Sequence, residues 1–272
     1  DPARTTPGAA KFPGVNRNKR SIGIDLKKSD ARPIVNALIG RCDVVVEGFR
    51  PGVAERLGIG YEDLSKRKPE IIYCSVSGYG QTGPWRDMPG HDPNYLAASG
   101  AMTFSGHWLG EPGRSSLPVS DLVGGAFAAI SILAALRTRD STGRGGWLDL
   151  SLFESAMFCS AARFGLDANA PNRDLLRPTN DIFKTADRRS IAIGVNEPHI
   201  WRNFRSAVTE FLPELADAKF DNEEGRRKYG DELAGLLQKL FAQRSLEAWV
   251  CYLRPKDIPI QPCLTPEEAA KS

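Results

Sequence analysis

The sequence is poor in the residues that build metal centres and disulfide frameworks. Its 272 residues include three histidines and five cysteines, and the cysteines are odd in number and widely spaced. No pair of cysteines, and no cysteine with a histidine, has the spacing of metal ligands. We therefore predict no metal site, reduced thiols and a cytoplasmic protein.

Long apolar runs and a strong net charge are also lacking. The longest apolar run, residues 126–136, is too short to cross a bilayer, and no signal-peptide pattern is present. The formal net charge of +3 is too small to indicate a nucleic-acid partner. With 41% hydrophobic and 25% charged residues, the composition predicts a globular protein that binds neither membrane nor nucleic acid.

Helix and strand patterns alternate through the first part of the chain. The predicted helices are residues 29–40, 51–58, 121–139 and 152–164, and the predicted strands are residues 42–46, 71–76 and 147–150. This alternation is typical of an α/β fold with a parallel, Rossmann-like sheet. Ligands in such sheets bind at the carboxyl ends of strands, so a site is expected after Val46 and Val76.

The second part of the chain has a different pattern. After a linker at residues 165–180, we predict a hairpin of residues 181–185 and 190–194, and then helices at 198–212, 231–242 and 246–253. A length of 272 residues suits a large domain with a smaller one attached. We predict a large α/β domain over residues 1–168 and a small α+β domain over residues 169–255.

Two stretches of the sequence, residues 16–21 and 47–58, offer Lys and Arg side chains and one Phe ring, which suit a small polyanion such as a nucleotide with phosphates. The structural alternative is that Arg-Pro-Gly (50–52) at a strand end only starts a helix. The helix predicted to start at Pro51 would add free backbone N–H groups. Lys27 and Lys28 are interpreted as solvated surface charges.

Three further residues are candidates for acid–base chemistry. His91 lies beyond a predicted strand, next to Asp92, which could orient the ring. Asp121 stands at the start of a long helix, and Glu197 precedes a later helix. Each has a structural alternative: a loop histidine bonded to a backbone carbonyl, or a carboxylate that caps a helix. The glycines at 124 and 125 indicate a close approach to the start of the long helix.

Several motifs in one order resemble the family III CoA-transferases. They are Asn-Arg-x-Lys-Arg-Ser (16–21), Glu-Gly-Phe-Arg-Pro-Gly-Val (47–53), Gly-Tyr-Gly-Gln-Thr-Gly-Pro (78–84), Asp-Leu-x-Gly-Gly (121–125) and Ile-Leu-Ala-Ala-Leu-Arg-x-Arg-x-x-x-Gly-x-Gly (132–145). Within that family, residues 90–100 and Gly-x-x-Glu-Pro (194–198) are similar to the α-methylacyl-CoA racemase branch. The transferases generally lack the histidine.

The resemblance implies an assembly and a ligand. It implies an interlocked homodimer and His91 supported by Glu197. It also implies that CoA is held by five residues: Lys19, Arg20, Phe49, Arg50 and Arg56. It also implies that the first strand, helix and second strand of the large domain are missing, and that residues 256–272 begin a truncated return toward that domain. The chain is therefore expected to be a piece of a longer protein. Pro93 departs from the family, which has an aliphatic residue there.

The predicted reaction is racemisation of a 2-methylacyl-CoA thioester. Inverting the α-carbon requires two acid–base groups, and we assign His91 and Asp121, with Asp92 and Tyr95 as supporting groups. CoA enters as part of the substrate, and no permanently bound cofactor is expected. The acyl pocket is expected in residues 101–114 and the linker.

Two alternatives remain open at this point. In CoA transfer, Asp121 would attack the donor thioester and form an aspartyl intermediate, and His91 would have no required role. The other alternative is a CoA-binding homologue that has lost activity, although the presence of His91, Asp121 and Glu197 argues against it.

Overall fold

The computed structural model describes residues 16–103, 108, 117–161 and 176–271. These residues fall into two compact units. The first unit comprises Asp1–Val76 and Ala128–Asp149, and the second comprises Ser77–Phe127 and Leu150–Ser272. The predicted domain boundary at residue 168 lies outside the described residues and stays a prediction.

The α-helices and strands are numbered in chain order. The helices are α1 Ala31–Gly40, α2 Val53–Arg56, α3 Tyr61–Arg67, α4 Asp92–Ala98, α5 Val119–Thr142, α6 Leu152–Ser160, α7 Pro198–Val208, α8 Glu223–Lys228, α9 Gly230–Phe241, α10 Leu246–Leu253 and α11 Pro266–Ala269. The strands are β1 Val44–Glu47, β2 Ile72–Ser77, β3 Gly146–Ser151, β4 Ile182–Lys184, β5 Ser190–Ile193 and β6 Ile260–Pro262.

The first sheet has the strand order β1-β2-β3. β1 and β2 are parallel, with Val44 opposite Ile72 and Val46 opposite Cys74, which confirms the parallel pairing predicted from the sequence. β2 is buried along nearly its whole length, as expected for a β-branched strand inside a parallel sheet. Mixed α/β architecture, as predicted, is therefore confirmed.

The helix predicted between Pro51 and Gly58 is shorter than expected. It is α2, only four residues long, because Pro51 and Gly52 form a turn in which Gly52 has a left-handed φ of 81° and the Val53 N–H donates to the Arg50 carbonyl. Gly58 also has a positive φ, 70°, so it ends the segment as the sequence predicts.

The second unit contains an antiparallel sheet of order β4-β5-β6. The β4–β5 hairpin and the bounds of α10 agree with the sequence prediction. The predicted end of the small domain at residue 255 stays a prediction, and beyond that residue β6 pairs with β5 (Ile191 with Pro262, Ile193 with Ile260). The edge of β5 would otherwise leave its backbone groups unpaired, which explains why the chain continues into this sheet.

The core of the second unit is aromatic. Trp201 and Phe204 of α7 stack with centroids 5.7 Å apart, and Phe241 of α9 lies against both Phe183 and Trp249. These side chains are fully or almost fully buried, and the indoles of Trp201 and Trp249 donate to the carbonyls of Phe220 and Phe241. Burial of such rings with their polar atoms paired stabilises the sheet-and-helix packing of this unit.

Helix α5 carries an unusual amount of exposed apolar surface. Leu122, Ile130 and Leu133 are 52%, 60% and 67% exposed, and Phe158 of α6 is 69% exposed. By length and composition alone α5 could cross a membrane, although that is weak evidence because core helices of soluble proteins pass the same test. Large exposed apolar patches usually mark a surface that contacts another protein or a membrane.

Candidate active site

His91 is held at the N-terminus of α4. It is the N-cap residue, with extended backbone, and its N–H donates to the Asn94 side-chain oxygen at 3.0 Å while its carbonyl accepts from the Asn94 N–H at 2.8 Å. Pro93 fits because a helix's first turn does not need its N–H. The imidazole is exposed, so it is free to meet a substrate.

Tyr95 fixes the segment that leads into His91. Its hydroxyl donates to the carbonyl of Gly90 at 2.5 Å, and its buried ring lies against Tyr79 with centroids 5.2 Å apart. A Cβ added at Gly78 or Gly90 would lie 2.6 Å from the Tyr95 ring, so this packing needs glycine at both positions. Tyr95 therefore supports the backbone of His91, although its predicted role in the reaction stays a prediction.

Asp121 is the third residue of α5 rather than its N-cap. Partial burial raises the pKa of this carboxyl, the charge of Asp92 raises it further, and His91 acts in the opposite direction. The charges of Asp92 and His91 thus act on the Asp121 carboxyl, and the assignment of His91 and Asp121 as a pair of acid–base groups stays a prediction. A raised pKa suits a carboxyl that must exchange protons near neutral pH.

Three backbone N–H groups at the start of α5 already have hydrogen-bond acceptors. The N–H groups of Val119, Ser120 and Leu122 are already bonded to Leu117, Asp92 and Pro118. These three N–H groups are therefore not free to donate to negative charge on a substrate.

Asp92 is a buried carboxylate tied to Ser120. Its Oδ1 accepts from the Ser120 N–H at 2.8 Å and from the Ser120 hydroxyl at 2.6 Å. Asp92 is 3% exposed and Ser120 is completely buried. No local sequence pattern indicates this pair, because a serine near the start of a helix is most simply interpreted as a cap.

Gly124 confirms the predicted close approach to α5. A Cβ at this position would lie 2.4 Å from the Leu152 side chain, so α5 and α6 approach as closely as they do only because residue 124 lacks one. Gly125 differs, because a Cβ there would meet nothing within 4 Å.

Glu197 is the N-cap residue of α7, and its side chain is exposed. Its backbone is held in place, since Trp201 donates to its carbonyl at 2.8 Å and the neighbouring Asn196 accepts from the Thr179 hydroxyl at 2.6 Å. Across the described ranges, no hydrogen bond joins Glu197 to His91. The support of His91 by Glu197, expected across a subunit boundary, stays a prediction.

The first unit contains a cationic groove of about 440 Å³. We define it by its lining residues: Leu26, Lys27, Lys28, Ser29, Arg32, Arg56 and Leu57. In the part of the chain that the structure describes, none of its four cations forms an ion pair. A Cβ at Gly58 would lie 2.5 Å from the Arg32 guanidinium, so glycine there makes room for this arginine.

Only Arg56 among the predicted CoA contacts lines this groove. The other predicted contacts lie elsewhere in the first unit: Lys19, Arg20, Phe49 and Arg50. The Phe49 ring is 38% exposed, and the Phe49 N–H donates to the Glu47 carboxylate at 2.8 Å. Lys27 and Lys28 are exposed, as expected for solvated charges, and they line the groove together with Arg32 and Arg56. The sequence interpretation did not identify Arg32, because no local pattern shows that the chain brings it to Arg56.

The residues expected to form the acyl pocket lie largely outside the described part of the chain. Within the described ranges, no group of three or more His, Cys, Asp or Glu side chains could hold a metal ion. The prediction that the protein uses no metal stays a prediction.

Comparison with known protein families gives a match over the whole chain. The model of CoA-transferase family III matches residues 1–272. The chain is 36% identical over 258 residues to an acyl-CoA transferase of Fusarium pseudograminearum, covering 92% of this chain and 56% of the relative. It is 31% identical over 269 residues to the alpha-methylacyl-CoA racemase of Mus musculus, covering 93% and 67%.

A solved structure has a similar fold. The orthorhombic crystal form of Rv3272 from Mycobacterium tuberculosis superposes with a TM-score of 0.84 at 28% identity, over 99% of this chain and 74% of that one. The chain thus spans little more than half of the fungal relative and about three quarters of this neighbour.

Asp92→Asn is expected to lower the pKa of Asp121. The asparagine keeps an oxygen that can accept from Ser120 but removes the charge that raises the Asp121 pKa. The pKa should stay above its ordinary value, because desolvation is the larger cause. The measurement is a pH titration of carboxyl ¹³C signals by NMR, with Asp121 identified by its absence in Asp121→Asn.

Asp257→Asn is the matched control, since it removes an exposed charge that is not among those acting on Asp121. An unchanged Asp121 titration in Asp92→Asn would mean that the Asp92 charge does not act on this carboxyl.

Proposed function

We propose, on the premise that this chain belongs to CoA-transferase family III, that it is a racemase or epimerase of 2-methylacyl-CoA thioesters. The observation that carries the proposal is that His91 lies at the start of α4 close enough to the Asp121 carboxyl to influence its pKa. CoA transfer needs Asp121 but has no step that uses a histidine. Inversion at the α-carbon needs two proton-exchanging groups.

The reaction proceeds through an enolate. One group removes the α-proton, and the electrons of the C–H bond pass into the enolate of the thioester. The conjugate acid of the other group then returns a proton to the opposite face. An exposed imidazole and a carboxyl with a raised pKa are suited to exchange these roles in the two directions of the reaction.

The cationic groove is suited to the phosphates of CoA. Its four cations have no acidic partner among the described residues, so no internal ion pair has to break before a phosphate binds. Arginine can bind phosphate through two parallel N–H groups, and Arg32 and Arg56 supply two such side chains. We add Lys27, Lys28 and Arg32 to the residues expected to contact CoA.

His91→Ala is expected to abolish most α-proton exchange. The intact protein should exchange the α-proton of a 2-methylacyl-CoA with D₂O in the absence of any acceptor acid, as measured by mass spectrometry. Exchange in His91→Ala should fall about 10²–10⁴-fold for at least one enantiomer, the usual contribution of a general acid or base. His199→Ala, which removes another exposed histidine, is the control.

CoA transfer is the second candidate function. It is favoured by the 36% identity to an acyl-CoA transferase, which exceeds the 31% identity to a racemase. Its signature would be transfer that depends on an acceptor acid, a hydroxamate trapped at Asp121 by hydroxylamine, and full activity in His91→Ala. That combination would establish transfer and exclude the racemase proposal.

Replacement of Arg32 and Arg56 by alanine is expected to weaken CoA binding. Each lost contact between an arginine and a phosphate should cost roughly 1.5–3 kcal/mol, and less at high salt, because the groove is open to solvent. Isothermal titration of CoA into the double variant measures the loss. Arg202→Ala removes an exposed arginine of α7 and should bind CoA normally. Equal affinities in all three proteins would remove the groove from the CoA site.

We also propose that the intact protein is a homodimer whose subunits cover the apolar surface of α5. The support is the exposure of Ile130 and Leu133, which both lie on the part of α5 that belongs to the first unit. A second copy of the same chain would bury these side chains. A lipid bilayer is the alternative, because α5 alone is apolar and long enough to cross one.

Ile130→Glu is expected to convert the dimer to monomer, because a charge in a buried apolar interface is costly. Light scattering after size-exclusion chromatography without detergent measures the mass of each species. Leu264→Glu, a similar change at an exposed leucine of the second unit, should leave the dimer intact. A wild-type protein that is monomeric, or that leaves solution with the membrane fraction, would contradict the proposal.

A further inference from the structure

The bond between Asp92 and Ser120 joins the starts of the two helices that carry the proposed acid–base groups. Asp92 is the first residue of α4 and follows His91 directly. Ser120 is the second residue of α5 and precedes Asp121 directly. Because neighbouring Cα atoms are only about 3.8 Å apart, each end of this bond is one peptide unit from one of the proposed groups.

The link consists of two short hydrogen bonds that are shielded from water. One oxygen of Asp92 accepts both the N–H and the hydroxyl of Ser120, at 2.8 and 2.6 Å. The hydroxyl also lies 3.4 Å from the Asp92 carbonyl, so it has an alternative acceptor on the same residue. Both side chains are almost completely buried, so water does not compete for the carboxylate.

We propose that Ser120 is a positioning residue: by holding the buried Asp92 carboxylate, it fixes the distance between His91 and Asp121. The inference rests on the proposed racemase function, because only inversion requires both groups to act on one substrate. Ser120 does not touch the reacting atoms. It acts through Asp92 on α4 and through its own place next to Asp121 on α5.

This role differs from ordinary buried hydrogen bonding in the second unit. The hydroxyls of Ser155 and Ser160 are also buried, but each donates to a backbone carbonyl of its own helix or of its N-cap, at 2.8 and 3.0 Å. Those bonds join no two helices. Ser160→Ala is therefore a matched control that removes a buried hydroxyl without loosening α4 from α5.

The test compares inversion with exchange that retains configuration. A single enantiomer of 2-methylacyl-CoA is incubated in D₂O, and mass spectrometry with chiral separation counts deuterated molecules of each configuration. Retention needs only one group to remove and return the proton, whereas inversion needs both. Loss of folded enzyme lowers the two rates equally, so their ratio reports geometry rather than stability.

In Ser120→Ala, the rate of inversion should fall about tenfold or more, since small misplacement of reacting groups has effects on the order of 10²-fold. The ratio of retention to inversion should rise severalfold, while KM for the thioester changes less than about threefold. Ser120→Thr keeps the hydroxyl and should restore the wild-type ratio. Ser160→Ala should leave the ratio unchanged.

An unchanged ratio in Ser120→Ala, or a ratio raised equally in Ser120→Thr, would overturn the proposal, because the hydroxyl would then not set the geometry. If Ser120→Ala does not fold, Ser120→Cys fills the same volume with a weak donor and is judged by the same ratio.

Failure of the proposed racemase function would give a different result. The wild-type protein would then show neither exchange nor inversion, and the role of Ser120 in pairing the two groups would fall with it.

Discussion

The buried charge of Asp92 is the interaction on which the candidate site depends. A carboxylate that is 3% exposed must be compensated by hydrogen bonds, and Ser120 provides two of them. That requirement ties the start of α5 to the start of α4. It also places a negative charge near Asp121, which contributes to the raised pKa of that carboxyl. The link between the starts of the two helices and part of the raised Asp121 pKa therefore both depend on the buried Asp92 carboxylate.

The raised pKa of Asp121 has a consequence for stability. Its folded-state pKa lies above the ordinary value of 3.8, so the folded protein holds the proton more tightly than the unfolded chain. The stabilisation by the bound proton is complete below the unfolded-state pKa and is lost as the pH rises through the folded-state pKa. Above the folded-state pKa the ionised carboxylate therefore does not contribute this stabilisation, which is typical of a group placed for reaction rather than for stability.

Local sequence patterns predicted much of the fold but little of what joins distant segments. The β4–β5 hairpin and the bounds of α10 follow from alternation and helix caps within a few residues. The pairing of β6 with β5 depends on an edge far away in the chain, and no local pattern indicates it. The same holds in the site, where His91 and Asp121 are identified by the family motifs, whereas the bond of Asp92 to Ser120 and the packing of Arg32 near Arg56 arise from folding alone.

Racemisation and CoA transfer have a common requirement and one difference. Both bring a CoA thioester to the Asp121 carboxyl, and a raised pKa makes the ionised form of that carboxyl more basic as well as more nucleophilic. Asp121 alone therefore does not distinguish proton transfer from acylation. The difference is a second proton-exchanging group, which inversion needs and acylation does not. His91 has an exposed ring, a backbone fixed by Asn94 and Tyr95, and an electrostatic effect on Asp121. A histidine held in this way is what supports the proposed two-base chemistry, because transfer has no step that requires it.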